Sequence, residues 1–215
     1  MIHDLSKTNS IFNSFLSEIR DAVVQKDSMR YRRNMERVSE IMAYELSKKL
    51  EYSEVKITTP LGEANMLTLK DQPVLATILR AGLAMHQGLL NYFDRADSAF
   101  VSAYRKHTTH EEFEVHVEYL AAPQLDNRVL IISDPMLATG KSMGLVYKAL
   151  LKQGKPSRVI IVSAIATPLA LDFLKSQLPD NTIYFLGAID EELTAQYYIV
   201  PGLGDAGDLA YGEKC

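Results

Sequence analysis

The sequence has a single cysteine, Cys215, so no disulfide can form within the chain. A chain without disulfides fits a reducing compartment. The first ten residues carry no apolar segment of the signal-peptide kind, and no apolar run reaches the length of a membrane span. Cys215 is also the last residue rather than the fourth from the end, which excludes a prenylation box. These absences predict a cytoplasmic protein with no membrane partner.

The chain also lacks an excess of positive charge. It has 23 basic and 27 acidic residues and a net charge of −4, which gives no reason to expect a nucleic-acid partner. Its one local basic cluster lies beside Glu36 and Glu40 in a helical pattern, and this mixture of charges indicates a solvated face or a subunit contact. The cluster consists of Arg30, Arg32, Arg33 and Arg37.

What the sequence has is a length of 215 residues, 47% of them hydrophobic, which is enough for one α/β domain with a full core. No repeat or linker divides it, so a single domain over residues 1–215 is predicted. Residues 128–188 alternate between strand and helix patterns, which predicts a parallel sheet with right-handed crossovers. The other predicted elements are helices over 11–26, 29–50 and 83–93 and strands over 54–59, 64–69, 74–79, 99–104 and 115–120.

Residues 129–142, VLIISDPMLATGKS, carry the strongest functional signal. Four apolar residues of a buried strand lead into Asp134, and small residues then open a helix. Such a loop places backbone N–H groups and a helix N-terminus at the carboxyl edge of a sheet, where they bind phosphate. Asp134 can accept hydrogen bonds from sugar hydroxyls. The pattern therefore indicates a phosphorylated sugar, and a solvated strand-to-helix turn is the alternative.

The end of this segment, Gly140-Lys141-Ser142, also matches the end of the nucleotide triphosphatase loop. That motif needs a glycine at position 135. The chain has Pro135, which offers no N–H to a phosphate and has a fixed φ. We therefore set the triphosphatase interpretation aside.

Two further segments are unusual. Residues 105–114, RKHTTHEEFE, are polar without a period, which indicates a mobile surface loop or an active-site lid, and their histidines lack zinc-motif spacing. Residues 197–212 contain four glycines, which let a backbone approach a ligand closely. Apolar residues such as Ile199 and Leu203 argue against disorder there. A folded binding loop is predicted for this tail.

Together, residues 78–82 (ILRAG), 134–140 (DPMLATG) and 198–208 (YIVPGLGDAGD) resemble the uracil phosphoribosyltransferase family. The central loop alone is typical of the whole phosphoribosyltransferase superfamily, whereas the tail is typical of this branch. The resemblance implies an α/β fold with a phosphoribosyltransferase-like (Rossmann-like) central parallel sheet flanked by helices. It also implies N-terminal helices, a β-hairpin arm and a C-terminal hood loop over the active site, with hood elements from residues 1–50 and 189–215.

The activity that the resemblance implies is transfer of ribose 5-phosphate from phosphoribosyl pyrophosphate (PRPP) to N1 of uracil, giving UMP and pyrophosphate in pyrimidine salvage, with Mg²⁺ accompanying PRPP. Arg80 and Arg105 would meet the pyrophosphate, whose charge grows as it leaves. Asp134 would hold the ribose hydroxyls and stabilise positive charge on the ribose. The implied catalytic residues are Arg105, Asp134 and Asp205. The implied PRPP-binding residues are Arg80, Arg105, Asp134, Pro135, Met136, Leu137, Ala138, Thr139, Gly140, Lys141, Ser142 and Asp205.

The resemblance also places uracil against the main chain of Ile199, Gly204, Asp205 and Ala206. Uracil has one donor at N3 and acceptors at O2 and O4, and cytosine reverses this pattern at N3 and C4. Cytosine would therefore leave buried backbone groups unpaired. Mg²⁺ would be held mainly through PRPP with Asp205 nearby, without a dedicated cage of metal-binding side chains.

The sequence departs from the family pattern at two places. Lys141 stands where the family has a second glycine. We expect a negative φ there, which costs little and adds a cation beside the phosphate. After Asp208 the family's basic residue and Phe-Gly-Thr ending are replaced by Leu209-Ala210-Tyr211-Gly212-Glu213. This second change affects subunit or regulatory contacts more than the chemistry.

Other interpretations remain open at this stage. The chain is either a salvage enzyme, a phosphoribosyltransferase-fold regulator that binds RNA and senses uridine nucleotides, a catalytically impaired partner subunit, or an enzyme for another base. The net charge argues against the regulator. Apolar faces of the N-terminal helices predict a homodimer or higher homo-oligomer. GTP is a candidate effector.

Overall fold

The computed structural model describes residues 1–107 and 113–213, and the side chains of residues 103–116 lie outside this description. The helices are α1 (Ile11–Arg20), α2 (Ser28–Ser47), α3 (Leu83–Leu90), α4 (Lys141–Leu150), α5 (Pro168–Gln177) and α6 (Ala206–Tyr211). The strands are β1 (Ile2–Asp4), β2 (Tyr52–Thr59), β3 (Gly62–Leu69), β4 (Val74–Leu79), β5 (Asp97–His107), β6 (Phe113–Ala121), β7 (Val129–Ser133), β8 (Met136–Leu137), β9 (Arg158–Ala166), β10 (Ile183–Ile189), β11 (Glu192–Leu193) and β12 (Ile199–Val200).

Eight strands form a mostly parallel sheet in the order β1-β10-β9-β7-β4-β5-β6, with β8 beside β9 and β6 antiparallel to β5. Alternate residues of β4 face opposite layers of the core. Leu75 packs in the layer that contains α1, α2 and α3, whereas Val74 and Ala76 pack in the layer that contains α4 and α5. Helices on both faces are what a buried parallel sheet requires. The predicted α/β class is confirmed.

The first helix, α1, begins where predicted, because the Ser10 hydroxyl accepts a hydrogen bond from the first turn. It ends at Arg20, earlier than predicted. The Asp21 carboxylate accepts hydrogen bonds from the N–H groups of Val23 and Val24 (2.8 and 2.9 Å) and stabilises a turn instead. Val23, which continues the apolar spacing of Ile19 in the predicted helix, lies beyond the end of α1 and is 77% exposed.

The second helix, α2, is confirmed, and Asp27 caps it by accepting hydrogen bonds from two N–H groups of its first turn. Its apolar face is fully buried, as Met35 and Met42 illustrate. Tyr44, which the helical pattern of α2 predicts to be a packing residue, does not pack in the core. Its side chain lies on the surface, where the Lys48 ammonium is 4.4 Å from the ring centroid.

The prediction of an irregular segment over residues 105–114 is wrong at both ends. β5 continues to His107 and β6 begins at Phe113, with Arg105 opposite Val115 in an antiparallel ladder. Backbone hydrogen bonds between β5 and β6 extend both strands into this segment. Such pairing does not require an alternation of apolar side chains. The lid prediction depends on residues 108–112, which lie outside the described residues.

The predicted hairpin of β2 and β3 is confirmed as a separate two-stranded sheet. Val55 pairs with Met66, and Ile57 pairs with Ala64, which places the four side chains on one face. Val55, Ile57 and Met66 are 41%, 40% and 50% exposed. The hairpin therefore presents a partly exposed apolar face, which the described residues of the chain do not cover.

Candidate active site

The carboxyl ends of β4 and β7 lie side by side, since the two strands are parallel and Thr77 pairs with Ser133. After these two strands the chain turns to opposite faces of the sheet. The helix that follows β4, α3, packs in the layer of α1 and α2, whereas the helix that follows β7, α4, packs with α5. A crevice therefore opens between the β4 loop (residues 80–82) and the β7 loop (residues 134–140). This is where open α/β sheets bind ligands.

The β7 loop is held by β9 along one side. The carbonyls of Pro135 and Leu137 accept hydrogen bonds from the N–H groups of Ile165 and Thr167, both at 3.0 Å. The Ala138 carbonyl accepts a further bond from the Thr167 hydroxyl at 2.7 Å. The same hydroxyl caps α5. Thr167, which the sequence analysis did not single out, is thus the main support of this loop.

Gly140 is the residue at which the β7 loop becomes α4. Its φ is 73°, and an added Cβ would lie 2.9 Å from the Ala170 carbonyl oxygen and 3.0 Å from Leu174 Cγ. Both the backbone angle and the packing therefore require glycine. Lys141 is the first residue of α4, and the positive φ belongs to Gly140, so the expected negative φ of Lys141 is confirmed. The N-terminus of α4 consequently faces the crevice with its helix dipole.

Asp134 stands at the start of the β7 loop and is half-buried. Its backbone N–H donates to the Val162 carbonyl at 3.1 Å, which fixes it at the edge between β7 and β9. The Met136 N–H points to Asp134 Oδ1 at 3.5 Å. The carboxylate therefore lies at the carboxyl edge of the sheet, as predicted for a group that meets sugar hydroxyls.

The β4 loop brings Arg80 to the opposite side of the crevice. Arg80 Nη2 lies 3.3 Å from Asp208 Oδ1 and donates to the Gly212 carbonyl at 3.0 Å. Gly82 lies so close to β4 that an added Cβ would be 2.1 Å from Thr77 Oγ1. The Leu79–Arg80 peptide bond is cis.

The tail (residues 197–212) is folded, as predicted, but it contains a helix that the sequence analysis missed. Asp205 caps this helix, α6, and its Oδ1 accepts hydrogen bonds from the N–H groups of Gly207 and Asp208 (2.9 and 3.0 Å). A Cβ added at Gly207 would lie 3.8 Å from the Ala81 side chain. The start of α6 therefore adjoins the β4 loop, and the capping pattern D-A-G-D was a signal for it.

The residues expected to read uracil lie in this tail. Ile199 is buried in β12 opposite Leu193, and Ala206 is buried in the first turn of α6. Gly204 is exposed and has a φ of 91°. These residues share one short stretch of the chain, which leads into the start of α6 where Gly207 adjoins Ala81 of the β4 loop.

Contacts with α2 hold the tail in place. Arg32 Nη1 donates to the Ala210 carbonyl at 2.6 Å. Tyr31 is buried in the same core layer as Ala206 and Ala210. Burial raises the pKa of Tyr31, and the nearby Asp205 carboxylate adds to the effect, so the hydroxyl stays protonated.

A second support joins the tail to α1 and β10. The Asp190 carboxylate, which follows β10, accepts hydrogen bonds from both Arg20 and the Gly202 N–H. The sequence analysis missed both Arg20 and Asp190, because no local pattern relates two residues so far apart in the chain.

The remaining expectations concern Arg105, a metal site and a membrane span. The backbone of Arg105 lies in β5 beyond Ser102, which pairs with Leu79, but its side chain is outside the described residues. Among the described side chains, no group of three or more His, Cys, Asp or Glu residues could hold a metal ion. No helix in the described part of the chain is long and apolar enough to cross a membrane.

Comparison with known sequences identifies the family. The family model described as uracil phosphoribosyltransferase matches residues 6–213. A curated uracil phosphoribosyltransferase of Porphyromonas gingivalis is 55% identical over 214 residues, which cover 100% of this chain and 99% of the relative. That of Methanococcus vannielii is 37% identical over 201 residues, covering 92% of this chain and 84% of the relative.

Solved structures share the fold. A protein of Aquifex aeolicus superposes with a TM-score of 0.87 and 29% identity, covering 99% of this chain and 98% of its own. A hypoxanthine phosphoribosyltransferase of Staphylococcus aureus reaches a TM-score of 0.50 at 14% identity, covering 86% and 84%, which reflects a shared fold alone. Because the family model spans almost the whole chain, and relatives match over nearly all of it, this chain belongs to the uracil phosphoribosyltransferase family.

Proposed function

We propose that this protein transfers the phosphoribosyl group of PRPP to N1 of uracil, which yields UMP and pyrophosphate in pyrimidine salvage. The observation that carries the proposal is the meeting of two recognition elements at one crevice. One is the β7 loop with the N-terminus of α4, and the other is the tail, which adjoins the β4 loop at Ala81 and Gly207. Membership of the family supports the same reaction.

The β7 loop and α4 bind the 5-phosphate of PRPP. Backbone N–H groups at the start of α4 and the hydroxyls of Thr139 and Ser142 are the donors, and Lys141 adds positive charge. Asp134 accepts hydrogen bonds from the ribose 2′- and 3′-hydroxyls. Because Thr167 holds this loop against β9, the donors are placed before the substrate arrives.

Arg80 binds the pyrophosphate, with Arg105 as the second cation. In the unliganded protein Asp208 and the Gly212 carbonyl hold the Arg80 guanidinium at the crevice. Several phosphate oxygens satisfy a guanidinium better than one carboxylate oxygen at 3.3 Å. Arg80 therefore exchanges Asp208 for the leaving group.

In the reaction the C1′–O bond of PRPP breaks, the pyrophosphate leaves with the bonding electrons, and N1 of uracil bonds to C1′ and loses its proton. Asp134 stabilises the positive charge that builds on the ribose ring. The half-buried carboxylates of Asp134 and Asp205 are hard oxygen donors of the kind that Mg²⁺ prefers, so they fit an ion held mainly by PRPP. When bound, such an ion would neutralise charge on the pyrophosphate.

Uracil lies against the main chain of Ile199, Gly204 and Ala206. Backbone groups have fixed donor and acceptor directions, so they distinguish uracil from cytosine only while the tail keeps its shape. Leu203 is buried between these residues and anchors the turn in the core. Asp205 supports the same stretch as the cap of α6.

The test is formation of UMP and pyrophosphate from purified protein, PRPP and Mg²⁺, with uracil, cytosine, hypoxanthine and adenine compared in parallel. Turnover with uracil alone supports the proposal. If no base reacts while PRPP still binds, the protein is an impaired homologue or a regulator. Repeating the uracil reaction with GTP tests whether GTP is an effector.

We also propose that the protein is a homodimer in which the hairpin of β2 and β3 contacts the second copy. An isolated two-stranded hairpin is at best marginally stable in water, and here its apolar face is open. This face needs cover in every folded molecule. A second copy of the chain is the partner that is always present at a matching concentration.

A further inference from the structure

Asp190 connects three distant segments. It follows β10 at the carboxyl edge of the sheet, its side chain is 8% exposed, and its N–H donates to the Ala166 carbonyl at 2.9 Å. Arg20 Nη2 donates to both carboxylate oxygens, at 3.1 and 2.8 Å. The Gly202 N–H donates to Oδ2 at 2.9 Å. One carboxylate therefore ties α1 and the tail to the central sheet.

The hydrogen bond to Gly202 acts on the turn that is proposed to read uracil. Gly202 has a φ of 57°, and an added Cβ would lie 2.1 Å from the Ile199 carbonyl oxygen. The backbone at Gly202 is thus packed directly on Ile199. A buried N–H group needs a partner, and Asp190 is that partner. A shift of Gly202 would consequently move Ile199.

Arg20 orients the Asp190 carboxylate by donating to both of its oxygens. It is the last residue of α1, and its side chain is 22% exposed against 8% for Asp190. A charge pair that is mostly shielded from water interacts more strongly than a surface pair, and removing one partner leaves the other buried and uncompensated. The helix itself is anchored by buried residues such as Phe12 and Ile19.

A neighbouring contact reinforces this support. The Gln25 carboxamide faces the carbonyls of Leu203 and Ile19, and in the amide orientation that satisfies these acceptors its nitrogen donates to them at 2.8 and 3.1 Å. Two residues of the N-terminal segment therefore support consecutive residues of the tail. Arg20 supports Gly202 by way of Asp190, and Gln25 contacts the Leu203 carbonyl directly.

We propose that Asp190, held by Arg20, is a positioning residue that sets the turn over residues 199–204 and so controls affinity and selectivity for the base, without touching the substrate. This inference rests on the proposed uracil phosphoribosyltransferase activity. The PRPP-binding β7 loop has a different support, namely Thr167 and β9. Loss of the Asp190 support should therefore affect the base and leave PRPP binding intact.

The first experiment measures steady-state kinetics of Asp190→Asn. The carboxamide has no charge, and its NH2 group is a donor where Oδ1 accepts from Arg20, so the pair with Arg20 that orients the oxygen facing Gly202 is weakened. We expect the KM for uracil to rise about tenfold, which is the size of effect that loss of one charged hydrogen bond gives. The KM for PRPP should change by less than about twofold. Discrimination between uracil and cytosine should fall. Glu191→Gln removes the same charge from the exposed neighbouring residue and should leave both KM values unchanged.

The second experiment does not depend on activity. Amide hydrogen exchange of residues 199–204 in the unliganded protein should accelerate about tenfold in Asp190→Asn, with the β7 loop unchanged. Arg20→Lys, which keeps the charge but loses the guanidinium fork, should give a smaller change in the same direction and serves if Asp190→Asn does not fold.

The outcomes separate this inference from the proposed function. An inactive wild-type protein would refute the proposed function, whereas the exchange result would still test the positioning role. Equal increases in both KM values, or lower thermal stability with unchanged kinetics and unchanged exchange in residues 199–204, would overturn the inference.

Discussion

Arg80 Nη2 lies 3.3 Å from Asp208 Oδ1, and this ion pair joins the β4 loop to the tail helix beside the crevice. The two side chains are 38% and 34% exposed, so solvent screens the pair and it contributes little to stability. Its effect is on position. It holds a guanidinium beside the proposed pyrophosphate site and at the same time holds the tail against the β4 loop.

Replacing Arg80 tests its proposed contact with the leaving group. We expect Arg80→Met to lower kcat/KM for PRPP by about 10²–10³-fold, because a charge that stabilises the departing pyrophosphate is lost. Initial rates over a range of PRPP concentrations measure this. Arg158→Met is the control, since Arg158 starts β9 at the opposite edge of the sheet and donates to the Lys49 carbonyl. Equal losses in the two variants would contradict the assignment.

Gly140 should tolerate no side chain. We expect Gly140→Ala to destabilise the protein by about 2 kcal/mol and to weaken PRPP binding, because the residue has a left-handed φ and faces the Ala170 carbonyl. Urea unfolding measures the first effect and PRPP titration the second. Gly212→Ala separates the causes, since Gly212 has a φ of 83° with no atom within 4 Å of an added Cβ. A Gly140→Ala protein as stable as Gly212→Ala would show that packing has no part in the effect.

Lys141→Gly tests the departure from the family pattern. Lys141 already has a negative φ, so glycine relieves no backbone strain and removes a cation from the N-terminus of α4. We expect the KM for PRPP to rise several-fold and kcat to change little. The PRPP dependence of the initial rate measures this, with Lys148→Gly, also in α4 but near its C-terminus, as the control for helix propensity. A several-fold lower KM in Lys141→Gly would refute the role of the cation.

His86 should make stability depend on pH. Burial lowers the pKa of this side chain to about 4 from its usual 6.5, so the folded state holds it neutral while the unfolded chain binds a proton below pH 6.5. The contribution of this group to the free energy of unfolding is therefore complete above pH 6.5. It falls by at most about 3 kcal/mol as the pH drops towards 4.

Urea unfolding between pH 4.5 and 7 measures this dependence. We expect His86→Met to flatten the curve, whereas Gln87→Met on the exposed side of the same helix should leave it unchanged. His3, whose pKa burial also lowers, accounts for part of any remaining slope. An unchanged slope in His86→Met would refute the assignment to His86.

The hairpin face should control assembly. The double variant Val55→Glu, Met66→Lys places opposite charges on paired residues, which keeps the hairpin while charging its apolar face. We expect it to be monomeric where the wild type is dimeric, as measured by light scattering after gel filtration. Exchange of Lys56 and Asn65, a pair on the other face, should not alter the mass. A monomeric wild type would refute the dimer proposal.

Much of the site was predictable because its signals are local. The run from Val129 into Asp134, the glycine that opens α4 and the close spacing of Ile199, Gly204 and Ala206 can all be read from neighbouring residues. The family resemblance added roles for Arg80 and Arg105 that no local pattern could assign. The structure confirmed the backbone expectation for Lys141.

What failed depended on pairing between distant segments. β5 and β6 extend into polar residues because each strand supplies the other's hydrogen-bond partners. Tyr44 has helical spacing but faces solvent, since the face of α2 that is buried depends on where α1 and α3 pack. Periodicity identifies an element, and it does not say how many of its faces are covered.

The sequence by itself determined the class of fold, most of its longer helices and strands and the two loops with ligand-binding chemistry, because hydrophobic period, turn residues and capping residues act over a few positions. Only the tertiary structure decided that Asp190 meets Arg20 and Gly202, that Thr167 supports the β7 loop, and that Asp208 meets Arg80. Such contacts join residues far apart in the chain, and their geometry exists only once the sheet has aligned its carboxyl edge and the helices have packed on both faces.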